Sequence, residues 1–273
     1  MRDPGYPNEQ GLAYNGGVSL CFALPPSLGA QHVRTLARQF AGVLYEAGFS
    51  TVVPVNSYEL LERSLLNGEV HAAWGPPMVC ARVEEAGGEV ALRALRNGSA
   101  SYRSALVCRS HDDLQIETMG SKNARRLRAV WVDKNSMGGY IMPRHHLRAA
   151  GIDLDAILET ERCLGSYEAC FEAVMECHAD ITASYASARG IGYVEICKEE
   201  AYHLRTFSYT AECPNDGVII SPRATGASFD IRRRLENLLS QPDHRAIFCT
   251  SLGVDDMEPP PPGSYRSLLQ LIS

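Results

Sequence analysis

No stretch of this 273-residue chain is long and apolar enough to cross a bilayer, so no membrane-spanning helix and no membrane insertion are expected. Basic residues are not in excess. The 26 Lys and Arg stand against 32 Asp and Glu, a net charge of −6, which argues against nucleic acid as the main partner. The opening MRDPGYPNEQGLAYNGG has no basic segment followed by an apolar core, so no secretory leader is expected there. No internal repeat of fixed period is visible, and a repeat architecture is not expected. Closely spaced cysteine pairs are missing too. Cys163, Cys170 and Cys177 fall seven apart with His178 following, whereas structural zinc ligands sit about two to four residues apart. These three are read as buried structural thiols, with Cys170 and Cys177 on one helix face, and neither a metal nor a cofactor is expected. The nine cysteines are odd in number and mostly lie in apolar runs, which favours reduced thiols over a disulfide framework. On that ground the expected compartment is the cytoplasm, with the periplasm as the alternative if a leader has been removed.

What is there is an ordinary globular composition, 45% hydrophobic and 21% charged, enough for one large domain or two lobes. Residues 1–16 are polar and rich in glycine and proline, the pattern of a flexible arm. Val18 to Leu24 is a continuous apolar run and predicts a buried strand. Val33, Leu36, Phe40, Val43, Leu44 and Ala47 recur at helical spacing up to Gly48. Thr51–Val55 reads as a strand, and Ser57 as the cap of a helix that carries Leu60, Leu61 and Leu65 towards Gly68. Strands are predicted at Val70–Trp74, Glu89–Ala94, Ser104–Cys108, Ala129–Val132, Ile181–Ser184, Leu204–Tyr209 and Gly217–Ile220. Helices are predicted after Pro77 and at Tyr140–Ala150, Tyr167–Cys177, Ile231–Leu239 and Tyr265–Ile272, with Pro259–Pro262 as a stiff spacer. Strands alternating with helices over short links predict an α/β fold with a largely parallel sheet.

The segment VWVDKNSMGGYIMPRHHL, residues 130–147, joins a strand to a helix through a tight turn at Asn135–Gly139. Backbone N–H groups at such a turn suit an anion. This segment is one of four that together point to a family. They are VNSYELLERSLLNGEVHAAWGPP (55–77), SYRSALVCRSHDDL (101–114), VDKNSMGGYIMP (132–143) and QPDHRAIFCTSLGVDDM (241–257). In this order, over about residues 17–258, the chain resembles the PhnD-like phosphate- and phosphonate-binding proteins of ABC transporters. The resemblance implies a two-lobed type II periplasmic-binding-protein-like fold, with a ligand cleft between lobes joined by two crossover strands. By position, lobe 1 is 17–107 plus 211–273 and lobe 2 is 108–210. It also implies closure about a hinge, a small-molecule ligand and an ABC permease as partner.

Carried over residue by residue, the resemblance puts Tyr58, Trp74, Tyr102, Ser136, Met137, Gly138, Gly139, Tyr167, Glu212 and Asp216 at the ligand. Ser136 matches the first hydroxyl of the anion loop. The next two positions, usually hydroxyl residues in the family, are Met137 and Gly138, and the family's helix-leading His is replaced by Gly165-Ser166-Tyr167. Pro76 stands where the family has Gly and removes one N–H. A hydrogen bond to a charged group contributes about 1.5–3 kcal/mol. Losing three such donors weakens binding by a factor of about a thousand or more. A larger, more aromatic pocket is therefore expected, suited to an organic anion bearing a phosphonate, phosphate or carboxylate. Glu212 and Asp216, flanking Pro214-Asn215, are expected to accept from a ligand amine.

Three functions stay open on the sequence. The first is a divergent substrate-binding protein. The second is a cytosolic enzyme on the same scaffold, lyase- or dehydratase-like, as in relatives of the superfamily, with Glu212, Asp216, Cys213 and the tyrosines as candidates. The third is a repurposed partner-binding protein, in a biosynthetic or signalling operon, with a degenerate cleft. His145-His146 read as exposed helix residues or, alternatively, as neighbours of an anionic ligand, and Arg232-Arg233-Arg234, with Glu236 nearby, as a solvated helix face.

Overall fold

The structure is a computed structural model that describes residues 19–26, 30–120, 125–192, 194, 203–224 and 230–272, with side chains at 30–34 excepted. The arm expected at 1–16 lies outside the described residues. The first part of the chain forms β1 (Leu20–Leu24), α1 (Ala30–Glu46), β2 (Phe49–Pro54), α2 (Tyr58–Asn67), β3 (Ala72–Gly75), α3 (Pro77–Glu85) and β4 (Glu89–Leu95). The middle forms β5 (Ser101–Arg109), α4 (Ile116–Met119), β6 (Leu127–Trp131), a π-helical turn (Met137–Ile141), α5 (Met142–Ala149) and α6 (Leu154–Ile157). There follow β7 (Leu158–Cys163), α7 (Tyr167–Met175), β8 (Ile181–Ser187) and β9 (Leu204–Tyr209). The rest is β10 (Cys213–Pro214), β11 (Gly217–Ile220), α8 (Ile231–Leu239), α9 (Pro242–Leu252), β12 (Asp256–Glu258) and a 3₁₀ helix (Arg266–Leu271).

Two sheets result, and they share one plan. The first runs β12-β4-β11-β3-β1-β2, and the second runs β10-β5-β8-β6-β7 with β9 also on β5. Read from one edge, β2-β1-β3-β11-β4 and β7-β6-β8-β5-β9 are the same arrangement. β1 is parallel to β2 and β3, as β6 is to β7 and β8. The fourth strand of each, β11 or β5, is antiparallel to its neighbours. β5 is where the chain enters the second sheet, and β11 is where it returns to the first.

Helices cover both faces of each sheet, which is what buried parallel strands require. On one face of the first sheet Phe22, Phe40, Phe49, Trp74, Leu235 and Phe248 form a continuous core. Its rings meet edge-on (Phe22–Phe49, 5.6 Å) and tilted (Phe40–Phe248, 4.7 Å). The opposite face packs Ala73 and Ile219 against Leu61, Leu65 and Val83 of α2 and α3, and against Tyr265 and Leu268 near the C-terminus. In the second sheet β5 sends Leu106 and Cys108 to one core and Ala105 and Val107 to the other, the period of two expected of a strand. Asp180, nearly sealed from solvent, accepts hydrogen bonds from Arg109, Arg125 and Arg128 and ties β5, β6 and β8 together.

Some expectations need correcting. Asn135–Gly139 is not a free turn: Met137–Ile141 is already helical and runs on into α5. The C-terminal element is a 3₁₀ helix rather than an α-helix. β7 and α9 had no counterpart in the predicted elements. β7 leaves all but its first residue exposed, so no apolar alternation marked it. Cys170 is buried, but Cys163 and Cys177 are exposed, and Cys177 lies beyond the end of α7 with φ of 61°, so no shared helix face exists. Arg232 is no solvated residue: it donates to the Val90 and Ala91 carbonyls and pairs with Glu89, fastening α8 to β4.

Candidate functional site

The site grows from three helix starts, each closed by a serine. Ser57 Oγ accepts from the N–H of Leu60 and caps α2. Ser136 Oγ accepts from the N–H of Gly139 and caps the helix that opens at Met137. Ser166 Oγ accepts from the N–H of Ala169 and caps α7. Each cap contributes about 1 kcal/mol to its helix. Two of the helices occupy matching places, since α2 follows β2 and α7 follows β7. Their first residues are Tyr58 and Tyr167, so each lobe contributes a Ser-Tyr pair at an equivalent position.

These starts meet. The Tyr167 hydroxyl and the Tyr102 ring lie 3.4 Å from where a Cβ would stand on Gly138. The Tyr167 phenol is pushed up to about 12, mainly by burial, with Ser136 working against the shift and the charges of Cys170, Tyr58 and Asp216 adding to it. Glu59, the second residue of α2, is held below the usual carboxylate range by backbone N–H and Ser57 hydrogen bonds, with a further contribution from Asn135 across the cleft. Ser104 Oγ donates to the Gly138 carbonyl at 2.5 Å and fixes the loop on β5. A Cβ on Gly139 would stand 2.8 Å from Val132 Cγ2 and 2.9 Å from Ser136 Oγ, so only glycine fits there. The N–H groups that open an α-helix have no acceptor within it, and this helix's positive end lies beside Tyr102 and Tyr167.

Met137 lies in one apolar cluster with Tyr102, Met142 and Cys213, joined at its edge by Tyr58, Ile141 and Tyr185. That cluster continues into the first sheet's lower core, so it bridges the lobes. Tyr185 stacks on Tyr102, with centroids 5.3 Å apart and planes at 23°. Tyr185, Ser104 and Met142 were not among the sequence candidates. Pairing of β5 with β8 brings Tyr185 in, and no local pattern signals that register. Burial pushes Cys213 up to about 12 and Tyr102 well above its ordinary value, so both are neutral.

Other candidates lie elsewhere or are engaged. Trp74 faces the core shared with Ala91, Leu92 and Val218, and its neighbour Ala73 takes the other face. Trp74 is therefore a core residue and not a cleft wall. Asp216 accepts from Arg96 at 2.8 Å. Glu212 accepts from Ser101 at 2.6 Å and Arg103 at 2.9 Å, which hold it below the usual range. Each carboxylate is thus already engaged by an arginine. Pro76 caps α3 and Pro77 starts it, a place that needs no N–H. His146 is half-buried and shares a hydrogen bond with Ser208 of β9 at 2.9 Å, so it is not the exposed residue expected. Among the described residues no group of three His, Cys, Asp or Glu is placed to hold a metal ion, and no helix is long and apolar enough to cross a membrane.

The two crossings are stitched together. β10 pairs with the start of β5 (Cys213 with Tyr102, Pro214 with Ser101). The buried Asn215 side chain donates to the carbonyls of Ala94 at 3.1 Å and Ser99 at 2.9 Å, and the Asn215 backbone carbonyl accepts from the Tyr265 hydroxyl at 2.5 Å.

Two lobes of one strand order, the second inserted in the chain of the first and joined to it by two crossings, with helix N-termini between them, define a type II periplasmic-binding-protein fold. Residues 43–261 match the family model of the phosphonate ABC transporter periplasmic substrate-binding protein, and the chain belongs to that family. Similar solved structures agree on the fold. A binding-protein component of a phosphonate ABC transporter from Pseudomonas aeruginosa is 17% identical, with 93% of this chain and 85% of that one covered and a TM-score of 0.68. PhnD1 from Prochlorococcus marinus, solved with methylphosphonate, is 15% identical over 93% and 96%, with a TM-score of 0.68. A Xanthomonas citri protein solved bound to ATP is 16% identical over 93% and 95%, with a TM-score of 0.70. No curated protein matches the chain by sequence. The family is one of periplasmic substrate-binding proteins, which corresponds to the alternative compartment and gives no support to the cytoplasmic expectation.

Proposed function

We propose that this protein binds a small organic anion between its lobes, closes over it about the hinge, and delivers it to an ABC permease. The observation that carries the reading is the meeting of two serine-capped helix starts at Gly138, where Tyr167 and Tyr102 stand beside it, with the start of α2 reaching the same region through Glu59 and Asn135. Positive helix ends and neutral phenol donors suit a phosphonate, phosphate or carboxylate without requiring a charged side chain. The ligand contacts in this reading come from Tyr58, Tyr102, Ser136, Met137, Gly138, Gly139 and Tyr167, with Tyr185 added. The lobes are proposed as 19–100 with 215–272, and 101–214. This moves the joins expected at 107/108 and 210/211 to the start of β5 and the end of β10, because both strands belong to the second sheet.

The enzyme reading gains nothing from these residues. A nucleophilic cysteine needs a lowered pKa and a partner base, whereas burial pushes Cys213 up. The test is incubation of the protein with a metabolite pool, followed by native mass spectrometry for retained ligand and chromatography for turnover. Retention of an anion without turnover is expected. Turnover would replace the binding reading with the enzyme one, and neither retention nor turnover would favour a partner-binding role. Cell fractionation decides the compartment. The family favours the periplasm, and the free thiols are the observation on the cytoplasmic side.

A further inference from the structure

Resting on the small-anion reading above, we infer that the cleft takes an anion carrying an uncharged, apolar substituent, that it turns away ligands bearing an amine, and that Met137 sets this preference. The anion end of a ligand meets the start of the helix at Met137. What stands next to that point decides the rest of the molecule it tolerates. Met137 is buried and packs with Tyr102, Met142 and Cys213, and the partly exposed Tyr58, Ile141 and Tyr185 line the approach. The Met137 thioether is unbranched and adaptable, so it yields to a flat or branched apolar group and keeps contact with it. Tyr102, Tyr185 and Cys213 in this wall are neutral, each pushed up by burial, so they offer an ammonium no charge.

The two carboxylates at the edge of the crossing are each already engaged by an arginine. Asp216 is paired with Arg96 at 2.8 Å. Glu212 is paired with Arg103 at 2.9 Å, and Arg103 is itself pinned by donating to the carbonyls of Ala188 at 3.0 Å and Thr210 at 2.9 Å. Arg103 therefore cannot swing away without losing two further hydrogen bonds. A ligand ammonium beside Met137 would have to shed its water against an apolar wall or compete with an arginine for a carboxylate, and the first of these is the costly one. An apolar substituent in the same place gains by leaving water.

The experiment is isothermal titration of the intact chain with phenylphosphonate, methylphosphonate and 2-aminoethylphosphonate, repeated on Met137→Thr and Arg96→Gln, with thermal melts to check that each variant folds. In the wild type, phenylphosphonate is expected to bind at least tenfold tighter than methylphosphonate, and 2-aminoethylphosphonate at least tenfold weaker than methylphosphonate. Met137→Thr should shrink the phenyl advantage to less than threefold. Arg96→Gln, which frees Asp216, should strengthen 2-aminoethylphosphonate binding several-fold and leave methylphosphonate unchanged. Equal affinity for phenyl and methyl ligands, or tightest wild-type binding of the amine, would overturn the inference while leaving the small-anion reading intact. If none of the three binds a folded wild-type protein, the small-anion reading itself falls.

Discussion

Two adjacent glycines carry different constraints, and the difference is measurable. Gly138 has room, since its nearest neighbours lie 3.4 Å from a Cβ, whereas a Cβ on Gly139 would meet Val132 and Ser136 inside 3.0 Å. Gly139→Ala is expected to destabilise the protein by about 1–3 kcal/mol, the usual range for overpacking, and Gly138→Ala by less than about 1 kcal/mol. Chemical denaturation of both variants checks this, and equal losses would contradict it. At this scale the sequence was legible wherever a motif fixed a residue relative to a turn: Ser136, Gly138, Tyr102 and Tyr167 do come together. It was not legible for Trp74. A strand residue's face is set by register, and one position along, at Ala73, the chain points to the other core. Nor did the sequence show that Arg96 and Arg103 engage Asp216 and Glu212, because the salt bridge between Arg96 and Asp216 and that between Arg103 and Glu212 each join residues brought together only by the crossings.

Among the elements, the helices that point into the cleft were readable because each announces itself with a serine cap and an apolar stripe. The edge elements were not, since β7 is exposed and β10 spans two residues only. The join between β5, β6 and β8 yields a prediction of its own. Burial alone would raise the pKa of Asp180, but hydrogen bonds from Arg128 and Arg109 outweigh it and hold the carboxyl far below the usual range. A depressed folded-state pKa means that the stabilisation is complete above the unfolded value, about 3.9, and is lost as the pH falls below it. Asp180→Asn should therefore lose about 3 kcal/mol at pH 7, because it leaves Arg109 and Arg128 short of their partner. The loss should shrink steadily below about pH 4. Denaturation across pH 3–7 measures both, and a pH-independent loss would contradict the assignment.

For the whole molecule, the crossing point is the pivot of the closure proposed above. Asn215 holds the Ala94 and Ser99 carbonyls, Tyr265 holds Asn215, and the Glu84 carboxylate accepts from the Tyr265 N–H at 3.1 Å. The C-terminal segment thus braces the crossing from behind. Asn215→Ala leaves two buried carbonyls short of a donor, at a cost of about 1–3 kcal/mol. It is expected to widen the spread of interlobe distances, measured by spin labels on α2 and α5. An unchanged distribution would place the pivot elsewhere.

The insertion of one lobe within the other reaches beyond binding. β11 pairs with β3 by setting Val218 opposite Trp74, and β5 pairs with β8 by setting Ala105 opposite Ser184. The second sheet is complete within residues 101–214, but the first is split, its β11 and β12 following the whole of the second in the chain. An emerging polypeptide cannot complete the first sheet until most of the second has been made, and contacts of such long sequence separation form slowly. During synthesis the first lobe waits with β3 and β4 unjoined, an exposed pair of edges that invites aggregation or a chaperone until β11 arrives.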